Sequence, residues 1–358
     1  MTISKKLLSG FRMPAEWEKQ NSTLVAWPHN KNDWPNRFKK IPLVFAKIIA
    51  KISRVQKVYT LIENKHDKPK ALELIKKFKG NVKNIFIIIK KTDRVWTRDY
   101  GPIYLINEKK HKKIILNWKF NAWAKYKNYL NDNSINNKII KIKKMECIIP
   151  QYRIKNKVKN IVLEGGAIDV NGLGCLLATE ECLLSKVQER NPGLKKKDME
   201  KIFTKYLGIK KTIWLNKGIV GDDTHGHVDD IARFVSKNIV FLAQEKNKKD
   251  KNFKALEDNY KILNKSSDQN NVKIKIIKIP MPKPIYIERV RVPASYLNFY
   301  IANKIVLVPT FNDPNDKIII GIFKKYFKKR KIIPIDSSDL IWGFGAIHCM
   351  TQQEPALN

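Results

Sequence analysis

The chain has 358 residues, 43% of them hydrophobic, which is enough apolar material for a substantial core, while its apolar runs, such as 85–89, are far too short to span a bilayer. Its formal charge of +38 comes from 71 lysines and arginines against 33 acids. The lysines are scattered through nearly every element, and no RNP, zinc-finger or helix-turn-helix pattern accompanies them, so the charge reads as a solvated basic surface rather than a nucleic-acid interface.

In chain order, 24–27 reads as a strand ending in Trp27-Pro28-His29, and 43–52, after Pro42, as a helix. A strand over 58–62, an amphipathic helix over 68–78 closed by Gly80, and a strand over 82–89 follow. The segments 103–106 and 113–116 form a strand pair, and the Lys-rich stretch 128–159 reads as loops and strands of the same fold. Strands are expected over 161–163, 167–170 and 175–179, the last two joined at Asn171-Gly172, a strong hairpin signal. A helix over 197–207 precedes strands over 212–215, 231–235 and 239–242. A helix over 255–262 and a strand over 272–279 lead to a strand pair, 295–301 and 304–308. The last elements are a helix over 316–327 and a strand over 331–335.

The recurring unit of strand, polar loop, hairpin, helix and strand predicts an α/β protein. No sequence period marks a repeat, and no linker divides the chain, so residues 1–358 are expected to form a single domain. Residues 1–11 hold no long apolar stretch, so no signal peptide is expected. The cysteines Cys147, Cys175, Cys182 and Cys349 show neither a CxxC pair nor the spacing of a disulfide scaffold or zinc cage. A reducing, cytoplasmic setting is the expectation.

Polar clusters follow the strands, where scaffolds place chemistry. Cys349 ends the run Trp342-Gly343-Phe344-Gly345-Ala346-Ile347-His348-Cys349. Glycines let a substrate approach backbone amides, and a thiolate is a strong nucleophile, although a free cysteine is as often a small buried apolar residue. In Asp222-Asp223-Thr224-His225-Gly226-His227-Val228-Asp229-Asp230, an extended chain would put His225, His227 and Asp229 on one face. His227 suits general acid–base work, and the same trio suits a metal. Asp99 follows Arg98 and could clamp a cationic substrate, or simply pair with Arg98 or Arg94. Glu164 precedes Gly165-Gly166, a tight bend that exposes its carboxylate, or else serves as a turn acid. Trp96 and Trp123 could wall a cationic substrate or belong to the core.

These residues lie in segments that resemble the agmatine deiminase branch of the guanidino-group-modifying superfamily, with its bacterial peptidylarginine-deiminase-like relatives. The matching segments are Phe11-Arg12-Met13-Pro14-Ala15-Glu16-Trp17, Ala26-Trp27-Pro28-His29, Trp96-Thr97-Arg98-Asp99-Tyr100-Gly101-Pro102 and Phe120-Asn121-Ala122-Trp123. Leu163-Glu164-Gly165-Gly166, Thr179-Glu180-Glu181-Cys182-Leu183-Leu184, residues 221–234 and Ile347-His348-Cys349-Met350-Thr351-Gln352-Gln353-Glu354-Pro355 complete the set. The resemblance implies a five-bladed pseudo-symmetric α/β propeller, the pentein fold. It implies Cys349 as nucleophile, His227 as general acid and base, Asp99 and Asp229 as carboxylates on the guanidinium nitrogens, and Glu164 as the partner orienting His227 and the substrate. Trp96, Trp123 and Phe344 are expected to line the substrate pocket. The sequence departs from many relatives at Gly343-Phe344-Gly345-Ala346, where Phe344 narrows the pocket and Ala346 offers no amide side chain.

The implied reaction hydrolyses agmatine to N-carbamoylputrescine and ammonia, within putrescine and polyamine biosynthesis, with no cofactor and no metal. The bound cation is expected to stabilise the Cys349 thiolate against the nearby carboxylates. Free or peptidyl arginine is the alternative substrate. A metallohydrolase built on His225, His227 and Asp229 and a basic nucleic-acid-binding protein are the readings from other classes. The expected partner is a small cationic guanidino compound, with neither membrane nor specific nucleic acid, and the family leads one to expect a homodimer.

Overall fold

The computed structural model describes residues 8–154 and 157–357. Residues 1–7, most of the stretch considered for a signal peptide, and residues 155–156 within the Lys-rich stretch lie outside the described residues. Strand β1 (Gln20–Ala26) runs parallel to β2 (Lys57–Ile62), and β2 runs parallel to β3 (Ile85–Ile89). Parallel neighbours need crossovers, and α1 (Ile41–Ser53) and α2 (Asp67–Lys77) supply them. Helix α1 buries Phe45, Ile48, Ile49 and Ile52, and Pro42 sits in its first turn, where no amide donor is required.

One turn of helix, α3 (Thr97–Tyr100), leads to the second sheet. There β4 (Ile103–Asn107) and β5 (Lys112–Leu116) pair antiparallel, and β6 (Cys147–Ile148) adds parallel to β5. The crossover holds α4 (Leu130–Asn133) and α5 (Ile135–Lys143). A side hairpin, β7 (Gln151–Ile154) and β8 (Lys157–Asn160), follows. The third sheet orders β9 (Asp169–Val170), β10 (Cys175–Thr179) and β11 (Lys211–Leu215), with α6 (Glu180–Leu184) and α7 (Lys196–Ile202) in its crossover. The fourth orders β12 (Ala232–Ser236), β13 (Ile239–Gln244) and β14 (Lys275–Pro280) around α8 (Phe253–Asn264). After a short hairpin, β15 (Tyr286–Ile287) and β16 (Val290–Arg291), the fifth orders β17 (Tyr300–Ala302), β18 (Ile305–Thr310) and β19 (Lys331–Asp336) around α9 (Asn315–Tyr326). Finally β20 (Gln352–Pro355) returns antiparallel to β1. Each of the five sheets therefore opens with an antiparallel pair and continues with a parallel partner.

Three expectations are corrected. The stretch 128–159 is not only loops and strands, because Ile135 and Ile139 lie one helical turn apart and anchor α5, although lysines and asparagines dilute the pattern. The strand expected over 161–163 is a single bridge between Lys119 and Val162. The strand expected over 295–301 begins only at Tyr300, because Ser295 Oγ bonds the Asp230 carbonyl and Asn298 turns into the site described below. The polar run after Cys349, for which the sequence suggested no element, is a strand, because β1 offers it a free edge.

Among the described residues, no helix is long and apolar enough to cross a membrane. The five connections between successive sheets carry Asp99, Glu164, His227 with Asp229, Asn298, and Cys349, in that order.

Candidate active site

Asp99 is presented by α3, which is tied directly to the Cys349 loop. The Arg98 amide donates to the Cys349 carbonyl at 3.0 Å, and Thr97 Oγ1 lies 2.9 Å from the Met350 carbonyl. Arg98 does not pair with Asp99; its guanidinium reaches Gln353 Oε1 at 2.7 Å and Glu16 Oε2 at 3.3 Å. Asp99 instead accepts from Trp123 Nε1 at 2.9 Å and from the Gly166 amide at 3.1 Å. Gly166 is required here: a Cβ at this position would lie 2.6 Å from His227 Nδ1 and 2.8 Å from Asp99 Oδ1.

Glu164 is fully buried, and its Oε1 accepts from Arg190 Nε at 3.0 Å, whereas Oε2 has no hydrogen-bond partner among the described residues. No hydrogen bond joins it to His227. The loop bearing His227 folds on Asp222, whose Oδ2 accepts from the amides of Gly226 (2.8 Å) and His227 (2.9 Å). The loop is not extended, because His225 and Gly226 have φ of 64° and 93°. His225 is thereby turned to Ser185 Oγ at 3.2 Å, so the trio His225, His227 and Asp229 does not converge. His227 has Nδ1 3.8 Å from Asp99 Oδ1, and among the described residues neither ring nitrogen is hydrogen-bonded. A different group does converge: one donor atom each from Glu164, Cys182 and His227 lies within 4.8 Å of the others.

Asp229 lies next to Cys349, with Oδ2 3.9 Å from its Sγ. The same oxygen meets His348 Nδ1 at 2.6 Å, while Oδ1 has no hydrogen-bond partner among the described residues. His348 Nε2 meets Glu16 Oε2 at 2.8 Å, so the ring lies between two carboxylates, an arrangement that calls for both nitrogens to donate. Asn298 grips Cys349 from the other side. Its Nδ2 lies 3.0 Å from Cys349 Sγ and 2.9 Å from Asp230 Oδ1, and its Oδ1 accepts from the amides of His348 (2.9 Å) and Cys349 (3.2 Å).

Cys349 Sγ opens on a cavity of about 390 Å³, which Trp96, Asp99, Trp123 and Phe344 also line. Phe344 enters at φ 62°, a strained conformation for a non-glycine residue. Burial, helped by the charges of Asp229, Asp230 and Asp99, pushes the Cys349 thiol well up. Burial pushes the Asp99 carboxyl up to about 6; His227 works against that shift, and Asp229 and Glu164 add to it. Burial also opposes the Asp229 charge, but the hydrogen bond and charge of His348 outweigh it and hold the carboxyl below its usual range. Burial and the neighbouring carboxylates thus both favour the protonated thiol, and the same carboxylates make the pocket suited to a planar cation.

Five of the sequence candidates, Cys349, Asp99, Trp96, Trp123 and Phe344, line this one cavity, and His227, Glu164 and Asp229 are buried behind it. Sequence reasoning overlooked Asn298, His348, Glu16 and Arg190 as site residues. A signal for Asn298 existed: it is an amide inside the apolar run Tyr296-Leu297-Asn298-Phe299.

The model of the Porphyromonas-type peptidyl-arginine deiminase family matches residues 12–355. The agmatine deiminase of Pseudomonas aeruginosa is 31% identical over 97% of this chain and 96% of its own. The structure of an Enterococcus faecalis agmatine deiminase, described as catalysing its reaction, superposes with a TM-score of 0.88 at 29% identity, covering 100% of this chain and 99% of that one. A cysteine-to-serine variant of the C. jejuni agmatine deiminase with substrate bound gives a TM-score of 0.84 at 28% identity, covering 96% of each chain.

Proposed function

The chain belongs to the Porphyromonas-type peptidyl-arginine deiminase family, and from that premise we propose that it hydrolyses agmatine to N-carbamoylputrescine and ammonia through a covalent bond to Cys349. The observation that carries this reading is the Cys349 sulfur facing a carboxylate-rich cavity walled by Trp96, Trp123 and Phe344.

The chemistry follows from the groups present. Asp99 and the unengaged Oδ1 of Asp229 take the guanidinium nitrogens and orient the planar carbon. The cation lowers the cost of the Cys349 thiolate, whose proton passes to His227. Sulfur attacks the central carbon, His227 returns the proton to the leaving nitrogen, and ammonia departs as the C–N bond breaks. His227 then deprotonates water, which adds to the same carbon. The C–S bond breaks as the added hydroxyl gives its proton to the departing sulfur, the ureido product leaves, and His227 releases its proton to solvent. Glu164, held by Arg190, offers Oε2 to the remaining nitrogen.

Agmatine is preferred over arginine because Asp33 and Glu288 line the same cavity and suit an ammonium rather than a carboxylate, whereas Asp223, which also lines it, is already paired with Lys125 and Tyr126. The cavity's Arg94 is already bonded to Asn128 and lies over Trp123 and Tyr126. We also propose that the five sheets stand as blades around this cavity and that residues 1–358 act as one catalytic unit. The shared strand order supports this, as does the one site segment from each sheet connection. Four free cysteines favour a cytoplasmic setting.

Ammonia release from agmatine, arginine and an arginyl peptide tests the proposal. Agmatine is expected to give the highest kcat/KM, and Cys349→Ser to abolish release. No ammonia from any of the three would refute deimination, and a preference for arginine or the peptide would move the substrate assignment.

A further inference from the structure

We propose that Glu164, Cys182 and His227 form an inhibitory site for a thiophilic divalent cation such as Zn²⁺, which shuts the enzyme by capturing its acid–base histidine. Metal binding here does not depend on the deiminase reading; only the inhibition does.

One donor atom from each residue lies within 4.8 Å of the other two. Zinc bonds of about 2.0–2.3 Å in a tetrahedron put ligand atoms roughly 3.3–3.8 Å apart, so an inward shift of about 1 Å closes the site. All three residues are at most 1% exposed. Glu164 Oε2 and both ring nitrogens of His227 are buried without a hydrogen-bond partner among the described residues, so binding breaks no existing hydrogen bond at those atoms. Each group is held independently: Glu164 by Arg190, the Cys182 amide by Thr179 Oγ1 and the His227 amide by Asp222.

Imidazole, thiolate and carboxylate are the donors zinc takes, and three protein ligands leave a fourth position for water. The charge also fits. Asp99 and Asp229 act on His227 from nearby, and carboxylates that attract a guanidinium attract a dication. Arg190 opposes the metal but favours the Cys182 thiolate. Burial keeps that thiol protonated, so forming the S–metal bond sends one proton to water and tightens with rising pH. Metal and substrate compete for His227 and Glu164, so inhibition should be competitive with agmatine.

Cobalt(II) titrated into Cys349→Ser protein tests the site without turnover. A near-ultraviolet sulfur-to-cobalt band is expected at one metal per chain, and it should vanish when Cys182→Ala is added. Absence of the band, or its survival in the double variant, overturns the proposal. In the active protein, Zn²⁺ is expected to inhibit ammonia release and a chelator to restore it. Cys182→Ala, or Cys182→Ser if alanine disturbs folding, should keep the basal rate and raise the inhibitory concentration at least tenfold. Unchanged sensitivity would put the metal on Cys349 and overturn the proposal.

Discussion

The Cys349 sulfur receives the Asn298 amide at 3.0 Å while Asp229, Asp230 and Asp99 push its thiol upward. Asn298 is therefore a donor that stabilises negative sulfur in surroundings that oppose it. A hydrogen bond to a charged group is worth about 1.5–3 kcal/mol, so Asn298→Ala should lower kcat roughly 10- to 100-fold with little change in KM. The pH midpoint of Cys349 alkylation should rise, and the thiolate absorbance gained on adding agmatine should shrink. An unchanged midpoint would leave Asn298 a purely structural role. Asn298→Asp should be worse than alanine, because it adds a fourth carboxylate near the sulfur.

At the scale of elements, helices with a clean apolar stripe were legible and polar ones were not. Helix α1 announces itself through Phe45, Ile48, Ile49 and Ile52, whereas β20 is Gln352-Gln353-Glu354-Pro355 and carries no apolar alternation. Its burial is electrostatic: Glu354 meets Lys113 at 2.6 Å, Lys143 at 2.7 Å and Ser22 Oγ at 2.6 Å. Burial resists the Glu354 charge, but the two lysines outweigh it and bring the carboxyl from 4.5 down to about 2. A depressed carboxyl stabilises the fold above its unfolded pKa, and that stability is lost as pH falls through the folded value. The shift corresponds to about 3 kcal/mol at neutral pH. Urea unfolding of Glu354→Gln should show a loss of this order at pH 7, shrinking toward zero as the pH approaches 2. A loss independent of pH would point to packing instead. Because β20 follows Cys349 directly, the variant should also lower kcat.

For the whole molecule, the charge of +38 repels a cationic substrate at long range, while the cavity carboxylates attract it at short range. Salt at 0.15 M screens exposed charges beyond about 8 Å, so it weakens the distant repulsion more than the attraction inside the cavity. The kcat/KM for agmatine should therefore rise between low salt and 0.15 M, with kcat unchanged, and stopped assays across that range would show it. A steep fall would mean the cavity field dominates approach.

Local periodicity and short motifs are written in neighbouring residues, and they carry the α/β class, most crossover helices and the candidacy of Cys349, Asp99, Glu164, His227 and Asp229. Local pattern alone does not tell whether His225 is a ligand, where the strand before Ile305 begins, or that Asn298 and His348 reach the site. Contacts between distant segments settle those points. The φ values of His225 and Gly226 turn one histidine away. The connection before β17 swings Asn298 onto a sulfur 51 residues further along the chain, and His348 bridges Asp229 and Glu16, groups 119 and 332 residues away. Hydrogen bonds between groups so far apart in sequence leave no periodicity for a local reading to find.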